Sequence, residues 1–423
     1  MAPPVQSPDP LPRFYFDYPT DWSRLPQCLL IRAWCFTAGG KPIRSARLRA
    51  GNITLAGLMR VWRPDVRAAM PEAPDDYTGF EIRGTLQPGR TTVIIEAESD
   101  GTWHPLLTHD VIVEQRILPL WLAGGTWKDL IFSQFPAHMA YDARPVRLEK
   151  FPRSRPSPHR PRFAIVTPSY QQARYLGETM ASVLAQSGVK LEYVVQDGGS
   201  TDGSVALIQH HAPQLHAWES ARDGGQADAI ARGFAKTSGG PHDVMAWINS
   251  DDYYLPGALA FVADYFAKHP DVDVLYGHRI VVNEESKEIA RWFLPRHDNE
   301  ILRLNDFVPQ ETMFWRRRVW DRVGGLDTTF KFAMDWDLLL RFAAAGAKIV
   351  HVPWFLACFR VHPAQKTSAD MEAVGQPEIT LLRERAQGRV FPAPELESHA
   401  RLLRFLRRSA WIQFLWRWGI RSA

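Results

Sequence analysis

The sequence predicts an α/β domain, a mostly parallel sheet flanked by helices, preceded by a small all-β sandwich. Three observations predict it. Between residues 161 and 270, strand-length apolar runs alternate with helix-periodic segments, the rhythm of a parallel sheet covered on both faces. From Arg13 to about Glu114 the chain is written in short alternating runs, broken by Gly, Pro, Asn and Asp at the spacing of a small sandwich. Between the two lies "FPRSRPSPHRPRF", residues 151–163, rich in proline and arginine and free of acids, which reads as a linker.

Size and composition agree with this plan. A chain of 423 residues has room for two domains, and 45% apolar with 23% charged residues is ordinary for a globular protein. The formal charge of +4 is too small for this length to predict nucleic-acid binding. Cys28, Cys35 and Cys358 are too few and too scattered for a disulfide framework or a zinc site. The opening "MAPPVQSPDPLPRF" lacks the charged and apolar regions of a signal peptide, and no window approaches ~20 uninterrupted apolar residues. A cytoplasmic protein is the expectation.

In chain order, residues 1–12 are proline-rich and expected to be disordered. Residues 13–115 hold the sandwich strands "CLLIRAWCF", "RLRAGNITLAGLMRVW", "GFEIRGTL", "TTVIIEAES" and "DVIVE". Trp34, Trp62 and Trp103 suit a sandwich core or sheet face better than a sugar site. Residues 116–160 are a connecting segment and linker, with "WLAGGTWKDLIFSQF" as a helical candidate. The α/β domain spans 161–380. "RFAIVT", "LEYVVQ", "LHAWES" and "DVMAWINS" are its first strands. Between them, "QARYLGETMASVLAQ" puts Leu176, Met180, Val183 and Leu184 on one helical face, and "DGSVALIQHH" and "GQADAIARGFAK" follow as helices. Residues 381–423 form a basic amphipathic tail.

Ligands of open α/β sheets sit beyond the carboxyl ends of the strands. Those ends carry Thr167-Pro168-Ser169-Tyr170, then Asp197, then Glu219 and Asp223, then Asn249-Ser250-Asp251-Asp252. The first strand-to-helix turn, "TPSYQQARYLGE", has no G-x-G-x-x-G, and no G-x-x-x-x-G-K-[ST] occurs, so neither a dinucleotide fold nor a P-loop is expected. An acidic rim accepts a diphosphate only with a divalent cation between them. Asn249 and Asp251, two apart, face the same way if the strand geometry persists, and oxygen ligands of this kind suit magnesium or manganese. The plainer alternative is that Asp251 or Asp252 caps a turn or the next helix. Asp202 or Ser200 is a candidate N-cap for the second helix, which leaves Asp197 as the ligand candidate of its strand.

"FAIVTPSYQQARYL", "VVQDGGSTDGS", "ESARDGGQADAIARGF", "WINSDD" and "FAMDWDLLLRFAAAG" together resemble family 2 glycosyltransferases of the GT-A fold, over roughly residues 161–370. The resemblance implies an inverting transfer of a sugar from a nucleotide diphosphate, with a UDP-sugar as first choice, to an acceptor hydroxyl in polysaccharide or glycoconjugate synthesis. It implies that Thr167, Pro168, Ser169 and Tyr170 line the nucleoside pocket and that Asp197 holds the base. Asp223, Gln226 and Asp228 would border nucleotide and donor sugar. Asn249-Ser250-Asp251 would occupy the family's D-x-D position, with Asp251, Asp252 and His362 holding Mn2+ or Mg2+. Asn249 replaces the first acid of that motif, and Gly198 stands where many relatives have a second acid.

Asp335 falls on the catalytic-base position, preceded by Met334 where an acid is usual; any protein could instead use it as the N-cap of "WDLLLRFAAAG". Gln310, Glu311 and Trp336 would face the acceptor, and Arg360 and Lys366 would balance phosphate charge. Solvated loop positions are the alternative for these residues. Arg316, Arg317 and Arg318 read as a solvated helix face. In the tail, Leu402, Leu403, Leu406, Ile412, Phe414 and Leu415 offer an apolar surface beside six arginines. That surface suits an anionic membrane face, with a helix docked on the transferase domain as its rival. A non-catalytic sugar-nucleotide-binding scaffold is the alternative function.

Overall fold

The computed structural model describes residues 12–114, 143–152, 160–362 and 374–417, apart from 20–21, 27, 38, 62, 76–77, 88, 100, 149, 393–394 and 397–398. The expected disorder at the start, the helical candidate at 121–135, Trp62 and Lys366 lie outside the described residues. The described residues divide into two compact units, one holding those up to Glu114 and one holding those from Ala143 on.

In the first unit, β1 (Arg13–Tyr18), β2 (Arg24–Pro26), β3 (Cys28–Phe36), β4 (Ser45–Ala50), β5 (Ile53–Val61), helix α1 (Pro64–Ala69), β6 (Gly79–Thr85), β7 (Gly89–Ser99) and β8 (Thr102–Glu114) follow one another. The strands hydrogen-bond in the order β1-β3-β6-β5-β4-β7-β8-β2, antiparallel except for β2 beside β8. Alternation buries Ala46, Leu48 and Ala50 of β4 and Val93, Ile95 and Ala97 of β7. They meet Ile31, Ala33, Phe80 and Ile82 in a single core, so the two halves of the sheet pack on each other as a sandwich does. Trp34 is buried on Phe36, whereas Trp103 lies under Arg47 on a sheet face, 3.9 Å from ring centroid to guanidinium carbon.

The second unit begins before the expected boundary. Arg144 forms an antiparallel bridge with Glu288, and Phe151 stacks on Phe261, so this part of the sequence-predicted linker is integrated structure. The reason is Glu288, a fully buried carboxylate that receives the guanidinium groups of Arg144 and Arg291.

Its elements are β9 (Arg162–Ser169), α2 (Ala173–Leu184), β10 (Lys190–Asp197), α3 (Ser204–His211), β11 (Ala217–Ser220), α4 (Gln226–Ala235), β12 (Val244–Trp247), β13 (Tyr253–Tyr254), α5 (Ala258–Lys268), β14 (Val274–Val282), β15 (Glu288–Trp292), α6 (Asn299–Leu302), β16 (Phe314–Arg316), α7 (Arg317–Val323), α8 (Met334–Ala344), β17 (Ile349–Arg360), α9 (Gln376–Gln387) and α10 (Ala400–Arg417). The strand order is β11-β10-β9-β12-β16-β14-β17-β13, with β15 on β14. β9 to β12 are parallel, as the rhythm predicts; β16 then enters antiparallel, so the far half of the sheet is mixed. The order reverses between β10 and β12, on either side of β9, which opens the crevice where such sheets bind ligands.

The tail helix docks. Leu402, Phe405, Ser409 and Gln413 form its buried face, Phe405 meets Phe307 with ring centroids 4.7 Å apart, and Ser409 Oγ donates to the Phe293 carbonyl. Of the apolar residues read from the sequence, Leu402 is buried and Ile412 packs against the Phe293 cluster, as the docked reading has it, while Leu403, Leu406, Phe414 and Leu415 are half-buried. Arg404, Arg407, Arg408 and Trp411 remain outward. No helix among the described residues is long and apolar enough to cross a membrane.

Candidate active site

The crevice is built from the ends of β9, β10 and β12. Thr167 and Ser169 are buried rather than lining an open pocket: the Thr167 hydroxyl is 2.9 Å from the Tyr193 phenol, and Ser169 Oγ has no partner. Pro168 is buried as well, and Tyr170, exposed, is the part of the predicted stretch that reaches the surface.

Asp197 is fully buried and saturated. One oxygen accepts from Ser200 Oγ at 2.6 Å; the other accepts from Gly199 N, Ser200 N and Ser220 Oγ at 3.0, 2.8 and 2.7 Å. These bonds fold the 198–200 turn around the carboxylate. A second carboxylate is present nearby. A Cβ on Gly198 would come within 3.0 Å of Asp223 Oδ2 and 3.2 Å of the Tyr170 ring, so Asp223 occupies the space the absent side chain leaves. Asp223 Oδ1 accepts from Gly225 N at 2.9 Å, and Asp228 accepts from Gly224 N at 2.8 Å and pairs with Arg232. These bonds set the loop that enters α4. Asp202 bonds Ser204 N and Ala173 N, tying the starts of α3 and α2 together, while Gly203 is the N-cap of α3.

After β12 the chain turns at once: Asp252 N donates to Asn249 O at 3.1 Å. Strand alternation therefore stops, and Asn249 and Asp251 do not share a face. Gln226 Nε2 donates to Asn249 Oδ1 at 2.7 Å, Asn249 Nδ2 to Gln310 Oε1 at 3.3 Å, and Gln310 Nε2 to Trp247 O at 2.9 Å. An amide at 249 completes this neutral relay with a donor and an acceptor; an aspartate has only acceptors. Ser250 contributes its carbonyl to Thr179 Oγ1 and is buried.

Asp251 Oδ2 stands 3.0 Å from His362 Nε2. Asp252 is turned inward, accepting from Arg360 N at 2.9 Å. Burial, then Asp251 and Glu311, push its carboxyl well above the usual range. A metal would thus be held by Asp251 and His362, an oxygen and an imidazole nitrogen. The carboxylate suits manganese or magnesium, which complete their shell with water and substrate phosphates, and the imidazole favours manganese of the two. No group of three metal-binding side chains occurs among the described residues, so the phosphates would be needed.

Arg360 has its donors on protein groups. Its buried guanidinium donates to the carbonyls of Asp251, Asn283 and Glu284 and to Ser286 Oγ, and pairs with Glu178. Glu311 is also withdrawn, locked by two 2.7 Å bonds to Arg279 in a buried ion pair. Trp336 is buried, its indole N–H on Leu302 O at 2.8 Å, so it supports the site without facing an acceptor. Arg316, expected in solvent, is buried and donates to the carbonyls of Val272, His242 and Phe266. Arg317 and Arg318 are likewise tied, to Thr237 and Asp273.

Asp335 lies in the first turn of α8, half-buried, with Oδ1 accepting from Trp336 N at 2.9 Å. Ala333 is the N-cap, which removes the capping alternative. Sequence reading passed over Asp306. Burial and then Asp335 push its carboxyl well above the usual range, with Glu311 adding to the rise. Asp306 is thus within electrostatic reach of both Asp335 and the Arg279–Glu311 pair. The available signal was the first acid of "NDFVPQET", in a stretch no residue pattern distinguishes from a loop.

Residues 164–324 match the family model described as glycosyl transferase family 2. An O-antigen biosynthesis protein of Myxococcus xanthus is 30% identical over 198 residues, 46% of this chain but 15% of that protein. A glycosyltransferase of Mycobacterium tuberculosis is 29% identical over 188 residues, 43% of this chain and 69% of that one. Among solved structures, TarS of S. aureus with UDP-GlcNAc aligns at TM-score 0.46 and 17% identity, over 58% of this chain and 72% of that one.

Proposed function

Residues 164–324 form a family 2 glycosyltransferase domain, and from that premise we propose that the protein moves a sugar from a nucleotide diphosphate, a UDP-sugar first, to an acceptor hydroxyl with inversion. The product class is a polysaccharide or glycoconjugate, in line with the O-antigen biosynthesis relative. The observation that carries the reading is Asp251 facing His362 beside the crevice where the strand order reverses.

In this reading Tyr170 and Asp223 border the nucleoside, and the relay of Gln226, Asn249 and Gln310 holds the donor side without adding negative charge. Asp251 and His362 hold the cation, which would neutralise the departing diphosphate. Asp335 takes the proton from the acceptor hydroxyl as that oxygen attacks the anomeric carbon. The positive end of α8 favours its ionised form. The outward Arg404, Arg407, Arg408 and Trp411 of α10 suit peripheral contact with an anionic membrane surface, where lipid-linked acceptors would be met from the cytoplasmic side.

The test is nucleotide release. The full chain with Mn2+ is offered UDP-, GDP- and dTDP-sugars, with water as acceptor, and the products are separated. Release of one nucleoside diphosphate with free sugar supports the reading. Binding without release by any donor would favour the scaffold, and pyrophosphate as product would favour nucleotidyl transfer.

A further inference from the structure

Helix α9 lies outside the residues that match the family, and no motif marks it. It nevertheless reaches the backbone just before Asp335 and just before Asp306. Glu378 Oε1 accepts from Lys331 N at 2.7 Å, and Oε2 accepts from Phe332 N and Ala333 N, both at 2.8 Å. These are the three residues before α8, whose N-cap Ala333 has no side-chain acceptor to offer. Amide groups at a helix start need partners, and here a carboxylate from another helix supplies them. One turn further on, buried Arg383 donates Nε to Leu304 O at 2.7 Å and lies 5.9 Å from the centroid of the Trp336 ring. Arg303 binds Ala386 O, and Gln387 returns a bond to Arg303 O at 3.1 Å. The Asp335 turn and the segment leading to Asp306 are thus fastened to one strap.

We propose that Glu378 is a positioning residue for Asp335, fixing the turn that carries the base and keeping it a strong enough proton acceptor. This rests on the reading of Asp335 as base. The charge argument is direct. The positive end of α8 stabilises ionised Asp335 and so weakens it as a base. A carboxylate on the adjacent amides offsets that field. The other charged groups around Asp335 are Asp306, Asp337 in its pair with Arg341, Lys331 with its ammonium on Gly224 O, Arg383, and the Arg279–Glu311 pair. None of these bonds the amides of 331–333 among the described residues.

The test does not depend on turnover. In the full chain carrying 13C-carboxyl aspartate, the Asp335 signal is assigned by its loss in Asp335→Asn and titrated. Glu378→Gln, which removes the charge and keeps the size, is expected to lower the midpoint by about half a pH unit. Where the wild type releases nucleotide from a UDP-sugar, the same variant is expected to lose about tenfold or more in kcat with the donor KM little changed. An unchanged midpoint overturns the proposal whatever the turnover. A wild type that releases no nucleotide counts against the transferase reading, and the midpoint still decides the role of Glu378. If Glu378→Gln does not fold, Glu378→Asp takes its place: it keeps the charge but withdraws it, so a smaller fall in midpoint supports the proposal and none overturns it.

Discussion

In the proposed function Asp335 takes the acceptor proton and Asp251 holds the cation, and substitution separates the two roles. Asp335→Asn is expected to cut transfer by about 100-fold or more while leaving nucleotide binding intact, since only the proton acceptor is lost. Equilibrium titration with UDP beside a turnover assay checks both halves. Asp306 permits a prediction about pH. A carboxyl whose pKa is raised by folding adds stability below its unfolded pKa, and that contribution is lost as pH climbs through the folded value. Burial and Asp335 raise Asp306, so at neutral pH it is a cost. Asp306→Asn should therefore melt higher than wild type at pH 8, with the advantage gone near pH 4. Equal melting temperatures at pH 8 would contradict the placement of Asp306 beside Asp335.

At the scale of elements, close approach and buried charge decide. Gly233 of α4 lies against β9 so tightly that a Cβ there would come within 2.4 Å of Val166 Cγ1. Gly233→Ala should destabilise by about 1–3 kcal/mol despite the better helix propensity of alanine, and Val166→Ala in the same chain should recover part of the loss. Denaturant melts of both variants measure it. Glu311→Ala strands the Arg279 guanidinium in the interior and should cost about 3–5 kcal/mol, whereas replacing both partners by leucine and methionine should cost far less.

The strands and helices of 161–270 were legible because period and length identify them without knowledge of distant partners. The side-chain roles were less so. Asp197 and Arg360 have the right chemistry for ligands, but Ser220 lies 23 residues from Asp197 and Glu178 lies 182 residues from Arg360. Which acid or cation is already satisfied depends on such long-range partners, and no local pattern records them. Glu378 escaped for the same reason, since its partners are backbone amides on another helix.

For the molecule as a whole, two units with separate cores invite separation. A chain beginning at Ala143 keeps the crevice, the base and the strap, and should bind nucleotide as the full chain does. The sandwich then has another task, and the outward basic and aromatic stripe of α10 is expected to carry any membrane contact. The central claim is that Asp251 and His362 hold a cation through which the nucleotide binds. Its most direct measurement is a thermal-shift panel of UDP, GDP, dTDP and CMP, with and without manganese, on wild type and Asp251→Ala. Binding to the folded state raises the melting temperature by mass action. The account predicts a manganese-dependent rise for one nucleotide in wild type that is lost in Asp251→Ala. A rise that is the same in both proteins, or independent of manganese, would contradict it.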